Sequence, residues 1–257
     1  MRVRIKFTKT GCLKFIGHLD VMRFFQKAIR RAELPVSLSE GFSPHMLMSF
    51  AAPLGVGKTS SGEYFDLDLK EEIPESEILE RLNAQMVPGM HAESCVRIGI
   101  TKAEKCMTLV NAADYTVSFR KDSVRLPDPE QLREKLKAFL SGPSVIVLRK
   151  TTRSEAETDI LPWIYEMNVT ELDDRTLAEH PQGTDAERTA FHMLLSAGSV
   201  SNLKPELVMS AFAGFAGFDL AEHSLLIHRN DIYTNIGTEE NRKLVPLDRA
   251  SSKPVSR

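Results

Sequence analysis

Two hydrophobic periods stand back to back at the start of this chain, and together they restrict it to a mixed fold. Arg2, Arg4 and Lys6 alternate with Val3, Ile5 and Phe7, the period of two that marks a strand with one face turned inward. After the turn signals Thr8-Lys9-Thr10-Gly11 and the apolar Leu13, Phe15 and Ile16, the period lengthens. Val21, Phe25, Ala28, Ile29 and Ala32 recur at helical spacing, with Arg23, Lys27, Arg30 and Arg31 on the opposite side. Asp20 stands where an N-cap belongs, so the spacing predicts a helix from Asp20 to about Ala32. The expected start is an edge or one-sided strand, then a helix that packs on something apolar and shows a basic stripe outward.

The pattern continues in kind. Pro35 and Ser43-Pro44 mark a connection, 46–51 and 63–69 read as strands, Pro74 precedes a helix over about 75–85, and 91–100 reads as a strand. The order β-α-β-β-α-β is the split, ferredoxin-like unit. A second pass follows a connector at 101–112: a strand at 114–120, a helix at 129–140, a buried strand at 145–148, segments 160–169 and 189–196 competing as the hairpin partner, a helix opened by Lys204-Pro205, and a closing strand at 224–233. The expected fold class is α+β, two tandem ferredoxin-like (βαββαβ) domains over 1–100 and 113–235, the second embellished. From Asn235 the chain turns polar, with Gly237, Pro246 and Pro254 and no apolar period, so 236–257 is expected to be a disordered tail.

Between the two strands of the first hairpin runs APLGVGKTSSGEY, residues 52–64, whose Gly57-Lys58-Thr59 looks like the end of a phosphate-binding loop. That motif needs a glycine five positions before Gly57, where Ala52 stands, and a helix after the threonine. Tyr64, Asp66 and Asp68 alternate instead with Phe65, Leu67 and Leu69, a strand pattern. The stretch reads as a plain hairpin connection.

Cys12, Cys95 and Cys106 are three widely spaced thiols with no CxxC pair, which argues against a zinc ribbon, a disulfide framework or an iron–sulfur triplet. No metal and no cofactor is expected. No apolar run approaches the length of a membrane span, and Met1-Arg2-Val3-Arg4 opens no signal-peptide core, so the expected location is cytoplasmic and no membrane partner is expected. A net charge of −2 exerts no global pull on nucleic acid, so any such contact needs a local patch.

The densest polar stretch is Gly17-His18-Leu19-Asp20 with Arg23, followed by Ser39-Glu40-Gly41-Phe42-Ser43-Pro44-His45. A helix start beside a Gly/Ser/Pro loop suits an anion, and two imidazoles add proton-transfer capacity near neutrality. One pocket holding His18, Asp20, Arg23, Ser39 and His45 is the expectation. The bland reading is that Asp20 caps, His18 satisfies a carbonyl, and Ser39 and His45 tie down a turn.

The run from Gly17 to Tyr64 also resembles the signature of the radical-SAM-linked protein family, a bacterial family of unassigned function. The positions that carry the likeness are His18-Leu19-Asp20, Met22-Arg23, Arg30-Arg31-Ala32, Ser39 to His45, Ser49-Phe50, Pro53-Leu54-Gly55 and Gly62-Glu63-Tyr64. The likeness is specific over residues 1–70 and looser beyond, and Gly57-Lys58-Thr59 departs from the family's pattern. It implies an accessory partner for a radical S-adenosylmethionine protein that supplies the iron–sulfur chemistry itself. A weaker similarity, at the level of fold, is to CRISPR repeat-cleaving endoribonucleases.

Three functions stay open on these grounds. The first is a non-catalytic accessory protein that binds RNA or presents substrate, with His18, Asp20, Arg23, Lys27, Arg30, Arg31, Ser39, Gly41, Phe42, His45 and Glu63 as anion, RNA or partner contacts. The second is a metal-independent ribonuclease with His18 or His45 as general acid or base. The third is a protein-interaction module whose basic helix docks an acidic surface.

Overall fold

A computed structural model describes residues 1–150, 155–172, 186–199 and 201–250. The chain forms two compact units, Met1–Ala112 with the returning segment from Arg229, and Ala113–His228. The fold class is α+β.

In the first unit β1 (Arg2–Lys9) lies between β3 (Thr59–Asp68) and β4 (Met90–Ile98), antiparallel to both. β3 also pairs antiparallel with the short β2 (Met48–Phe50). Helices α1 (His18–Arg31) and α2 (Glu75–Asn83) cover one face. Val3, Ile5 and Phe7 of β1 meet Phe25, Ala28 and Ile29 of α1 and Ile78 and Leu82 of α2 in one core. Phe7, Phe25, Phe50 and Phe65 form its aromatic centre, with Phe25 4.7 Å from both Phe7 and Phe65. Edge-on and tilted rings at such spacings add to what their area buries.

Two expectations for β1 need correction. It is a central strand, not an edge, and its polar face is covered as well. Arg4 is fully buried; it donates to both carboxylate oxygens of Asp66 at 2.8 and 3.2 Å and to the carbonyls of Leu247 and Glu104. Those carbonyls come from the segments that looked like tail and connector. Strand β10 (Leu225–Asn235) is followed by β11 (Leu244–Pro246), which pairs with it, and by a 3-10 turn, Leu247–Arg249, with Leu247 buried. Asp248 of that turn accepts from Ser94 at 2.7 Å, and Tyr64 donates to Asp231 at 2.6 Å. Residues 236–250 are therefore ordered where their composition suggested a loose tail; 251–257 lie outside the described residues. Helix α3 (Cys106–Leu109), in the expected connector, donates its Cys106 N–H to Asp66. A polar sequence docks here because the surface it meets carries charges that need partners.

The second unit contains β5 (Ala112–Arg120), α4 (Pro129–Leu140), β8 (Ile164–Glu171), β9 (Ala186–Ser196), α5 (Pro205–Ala216) and the start of β10. The strand order is β10-β5-β9-β8. Asp128 caps α4 by accepting from the Glu130 N–H at 2.9 Å, and Phe139, Phe191 and Phe212 form the core's rings. The segments that competed for one place in sequence pair with each other as β8 and β9. The expected buried strand at 145–148 is instead half of a separate hairpin, β6 (Ile146–Lys150) with β7 (Glu155–Asp159), whose Ile146 and Leu148 are more than half exposed. A short apolar run could not tell a sheet interior from a ribbon, because periodicity reports a face and not what covers it.

Candidate functional site

The site grows from an irregularity in β3. Phe7 of β1 faces Glu63 of β3, but Lys9 faces Ser60, so the register slips by one residue around Gly62. A side chain at Gly62 would stand 2.6 Å from the Asn230 carbonyl oxygen and the Asp231 Cα of β10. Only glycine permits that approach of two backbones. The slip re-aims the neighbouring side chains, as bulges beside functional sites do.

Three charged groups meet there. Arg229 donates to Glu63 Oε1 at 2.7 Å and Oε2 at 2.5 Å and to the Ala52 carbonyl at 3.0 Å, with both partners almost wholly buried. The two-pronged geometry matches a guanidinium to a carboxylate. Lys9 is 2% exposed, and among the described residues its Nζ has no hydrogen-bond partner. Burial pushes the Lys9 pKa down, Glu63 opposes that shift and Arg229 adds to it. Lys9 and Glu63 line a cavity of about 10 Å³ together with His18, Phe50, Ala52 and Leu54, the room of about a single water. His18 is the first residue of α1 and meets the Phe50 ring edge-on at 5.1 Å.

Of the residues singled out in the sequence, His18 and Glu63 come together at this cavity and the others do not. Asp20 is not the cap: Gly17 is, the helix begins at His18, and Asp20 lies in the first turn with Arg23 3.5 Å away. Arg23, Lys27, Arg30 and Arg31 form the exposed face of α1 as expected, with Arg31 held to the side chain and carbonyl of Gln85. Ser39 and His45 bind each other, Oγ to Nδ1 at 2.8 Å, and the Ser39 hydroxyl also accepts the His45 N–H at 3.1 Å. Gly41 and Phe42 occupy the exposed loop between them, Phe42 fully in solvent. His45 lines a second cavity, of about 180 Å³, with Arg2, Asp66, Asp68 and Lys105. The two cavities share no lining residue, so His18 and His45 line different cavities and not the single pocket expected.

The residues that sequence reasoning missed are Lys9 and Arg229. Lys9 did carry a signal, because it continues the odd-numbered phase of Val3, Ile5 and Phe7 that points inward. Arg229 carried none, being brought from 166 residues away. Segment 52–58 connects β2 to β3 and is followed by strand, so the phosphate-loop look has no helix behind it. Cys12 is exposed, whereas burial pushes the Cys95 and Cys106 thiols up to about 12. Among the described residues no three His, Cys, Asp or Glu side chains gather in a metal-binding group, and no helix is long and apolar enough to cross a membrane.

The convergence of His18, Phe50, Leu54 and Glu63, spread over 46 positions of sequence, on one small cavity describes an α+β protein with a buried Arg229–Glu63 pair beside it. Residues 2–205 match the family described as "Uncharacterized protein conserved in bacteria (DUF2344)", and the chain belongs to that family. No curated protein matches the chain. Among solved structures it is similar to an unknown protein from Galdieria sulphuraria, at 12% identity, over 89% of this chain and 97% of that one, with a TM-score of 0.24.

Proposed function

We propose that this protein is a non-catalytic accessory partner of a radical SAM enzyme and that it binds RNA through the outward face of α1. The observation that carries the RNA reading is the division of that helix. Val21, Phe25, Ala28 and Ile29 are buried, while Arg23, Lys27 and Arg30 stand exposed at i, i+4 and i+7. They form a cationic row about 10 Å long. At its start Phe15 and Leu19 are exposed, with Lys14 over the Phe15 ring at 5.2 Å, a mix of cation and apolar surface suited to phosphates and bases together. The radical SAM partner rests on the resemblance of residues 17–64, and the free, scattered cysteines are consistent with a cluster held by that partner.

The tandem ferredoxin-like reading belongs to the same proposal. Its support is the order β1-α1-β2-β3-α2-β4 with β1 between β4 and β3, and the order β5-α4-β8-β9-α5-β10 with β6 and β7 as the embellishment. The ribonuclease reading is weaker because His18 and His45 line different cavities.

The test is fluorescence anisotropy with a single-stranded RNA at low and moderate salt. Three phosphate contacts should give a log–log salt slope of about −2, near −0.7 for each. The variant Arg23→Glu/Lys27→Glu/Arg30→Glu should bind at least about tenfold more weakly with unchanged circular dichroism. Equal binding by the variant would overturn the α1 interface. Salt-sensitive capture of the co-expressed radical SAM protein, lost in that variant while RNA goes unbound, would favour the protein-docking module instead.

A further inference from the structure

The second unit carries a groove of about 520 Å³ between the hairpin strand β6 and the first turns of α5, within the roughly 300–1,000 Å³ of a ligand site. Leu148 and Arg149 form one wall, and Asn202, Lys204, Glu206 and Leu207 stand on the other. Consecutive residues of a strand point to opposite faces. A groove that touches both Leu148 and Arg149 therefore runs along the edge of β6 and not across one face.

The hydrogen-bond phase of the hairpin fixes what that edge offers. Ile160 donates its N–H to the Val145 carbonyl at 2.9 Å, in the same register that sets Ile146 opposite Asp159 and Leu148 opposite Glu157. Bonded and non-bonded positions alternate along an antiparallel pair. Val147 and Arg149 therefore bond to β7, and the N–H and C=O of Ile146 and Leu148 point the other way. Among the described residues β6 pairs with β7 and with no other strand, so those groups form an open ladder. The Ile146 and Leu148 side chains beside it are 55% and 56% exposed. Arg149 is oriented by the Asn202 carbonyl, which accepts from its Nη2 at 3.0 Å, and by the Trp163 ring, whose centre is 5.1 Å away. Lys204 is exposed, and the two cations outnumber the one carboxylate of the walls, Glu206.

We propose that the β6 edge docks an extended acidic segment of another protein, which adds a strand to the hairpin and lies between β6 and α5. Backbone bonds to Ile146 and Leu148 hold the segment. Its carboxylates meet Arg149 and Lys204, and its alternate apolar side chains cover Leu148 and Leu207. The strand that β6 already holds has a related composition, since β7 reads Glu-Ala-Glu-Thr-Asp. A second copy of β6 suits the edge less well, because it brings another Arg149 toward the same cations. The docking strand belongs to a different unit from α1 and does not depend on the RNA reading.

The test is fluorescence anisotropy of the full chain with a labelled, end-blocked peptide of alternating glutamate and valine. Binding should saturate and should weaken as salt rises, and a peptide of alternating lysine and valine should not bind. Leu148→Pro removes the outward N–H and leaves the β7 ladder whole, at a place where an edge strand tolerates proline. It should weaken binding about tenfold, the scale of one lost backbone hydrogen bond, with circular dichroism unchanged. N-methylation of every second peptide residue, in one of its two phases, should do the same without altering the protein. Lys204→Glu should weaken binding several-fold, and Arg23→Glu/Lys27→Glu/Arg30→Glu should leave it unchanged. Undiminished binding by Leu148→Pro and by both N-methylated peptides would overturn the strand addition, and no saturation at millimolar peptide would overturn the docking site. Sedimentation that shows a dimer which Leu148→Pro dissociates would place a second copy on the edge and overturn the acidic partner.

Discussion

Replacing Arg229 with Met should destabilise the protein by about 3 kcal/mol at neutral pH, the lower end of what breaking a buried ion pair costs. The structure sets that figure. Arg229 and Glu63 are 5% and 6% exposed, and the guanidinium makes two bonds to the carboxylate and a third to Ala52. Its removal leaves Glu63 charged and buried, which argues for the full 3 to 5 kcal/mol range, roughly. Lys9 moderates the loss, because among the described residues its amine has no hydrogen-bond partner and it already feels Glu63. Once Arg229 is gone Lys9 can take up a proton and become the counter-ion. Urea unfolding followed by far-UV circular dichroism and extrapolated linearly gives the stabilities. In a Lys9→Met background the same Arg229→Met change should cost about 5 kcal/mol, since no cation remains. Arg229→Met/Glu63→Leu should recover most of the loss, because a buried pair exchanged for apolar groups is often neutral. A cost below about 1 kcal/mol for Arg229→Met, the scale of an exposed pair, would refute the reasoning. So would equal costs with and without Lys9.

With a thiol reagent, one cysteine of the native chain, Cys12, should react promptly and all three after denaturation, because Cys95 and Cys106 are buried with pKa values near 12; prompt reaction of two would contradict it. Gly62→Ala should cost about 2 kcal/mol or more in the same urea assay, since its Cβ would meet two rigid backbone atoms of β10 at 2.6 Å; a wild-type midpoint would show that the strands part freely. His192 donates from Nε2 to Asp114 at 2.7 Å, and that bond raises its pKa above 6.5. Its contribution is full below the unfolded value and is lost as pH rises through the raised folded value. Asp114→Asn should therefore flatten the stability profile across neutrality, and an unchanged profile would count against the pair.

Much of this protein was legible in its linear order, for a physical reason that the same residues show. Strand and helix periods are local properties, so β1, α1, α2, α4 and α5 could be placed from side-chain alternation and from Pro at positions that start helices. The basic face of α1 was legible too, because its opposite face is marked by the residues that must be buried. Sequence by itself determined which residues seek an interior and at what spacing.

What covers a polar face was not legible, since no local rule reports a partner far along the chain. Arg4 read as a solvent-facing residue of a one-sided strand, and 236–250 as a loose tail; each became ordered by meeting the other, through the Leu247 carbonyl and the Asp66 carboxylate. The candidate site divides in the same way. His18 and Glu63 stood out in the sequence, but their neighbourhood depends on a register slip at Gly62 and on Arg229 arriving on β10. Ser39 and His45 are six residues apart and found each other locally, which removed them from that site. Tertiary structure alone decided that Lys9 would stand without a hydrogen-bond partner among the described residues, because whether a buried charge is answered depends on how many opposite charges the fold brings to it, and here the carboxylate that acts on it, Glu63, is already held by Arg229.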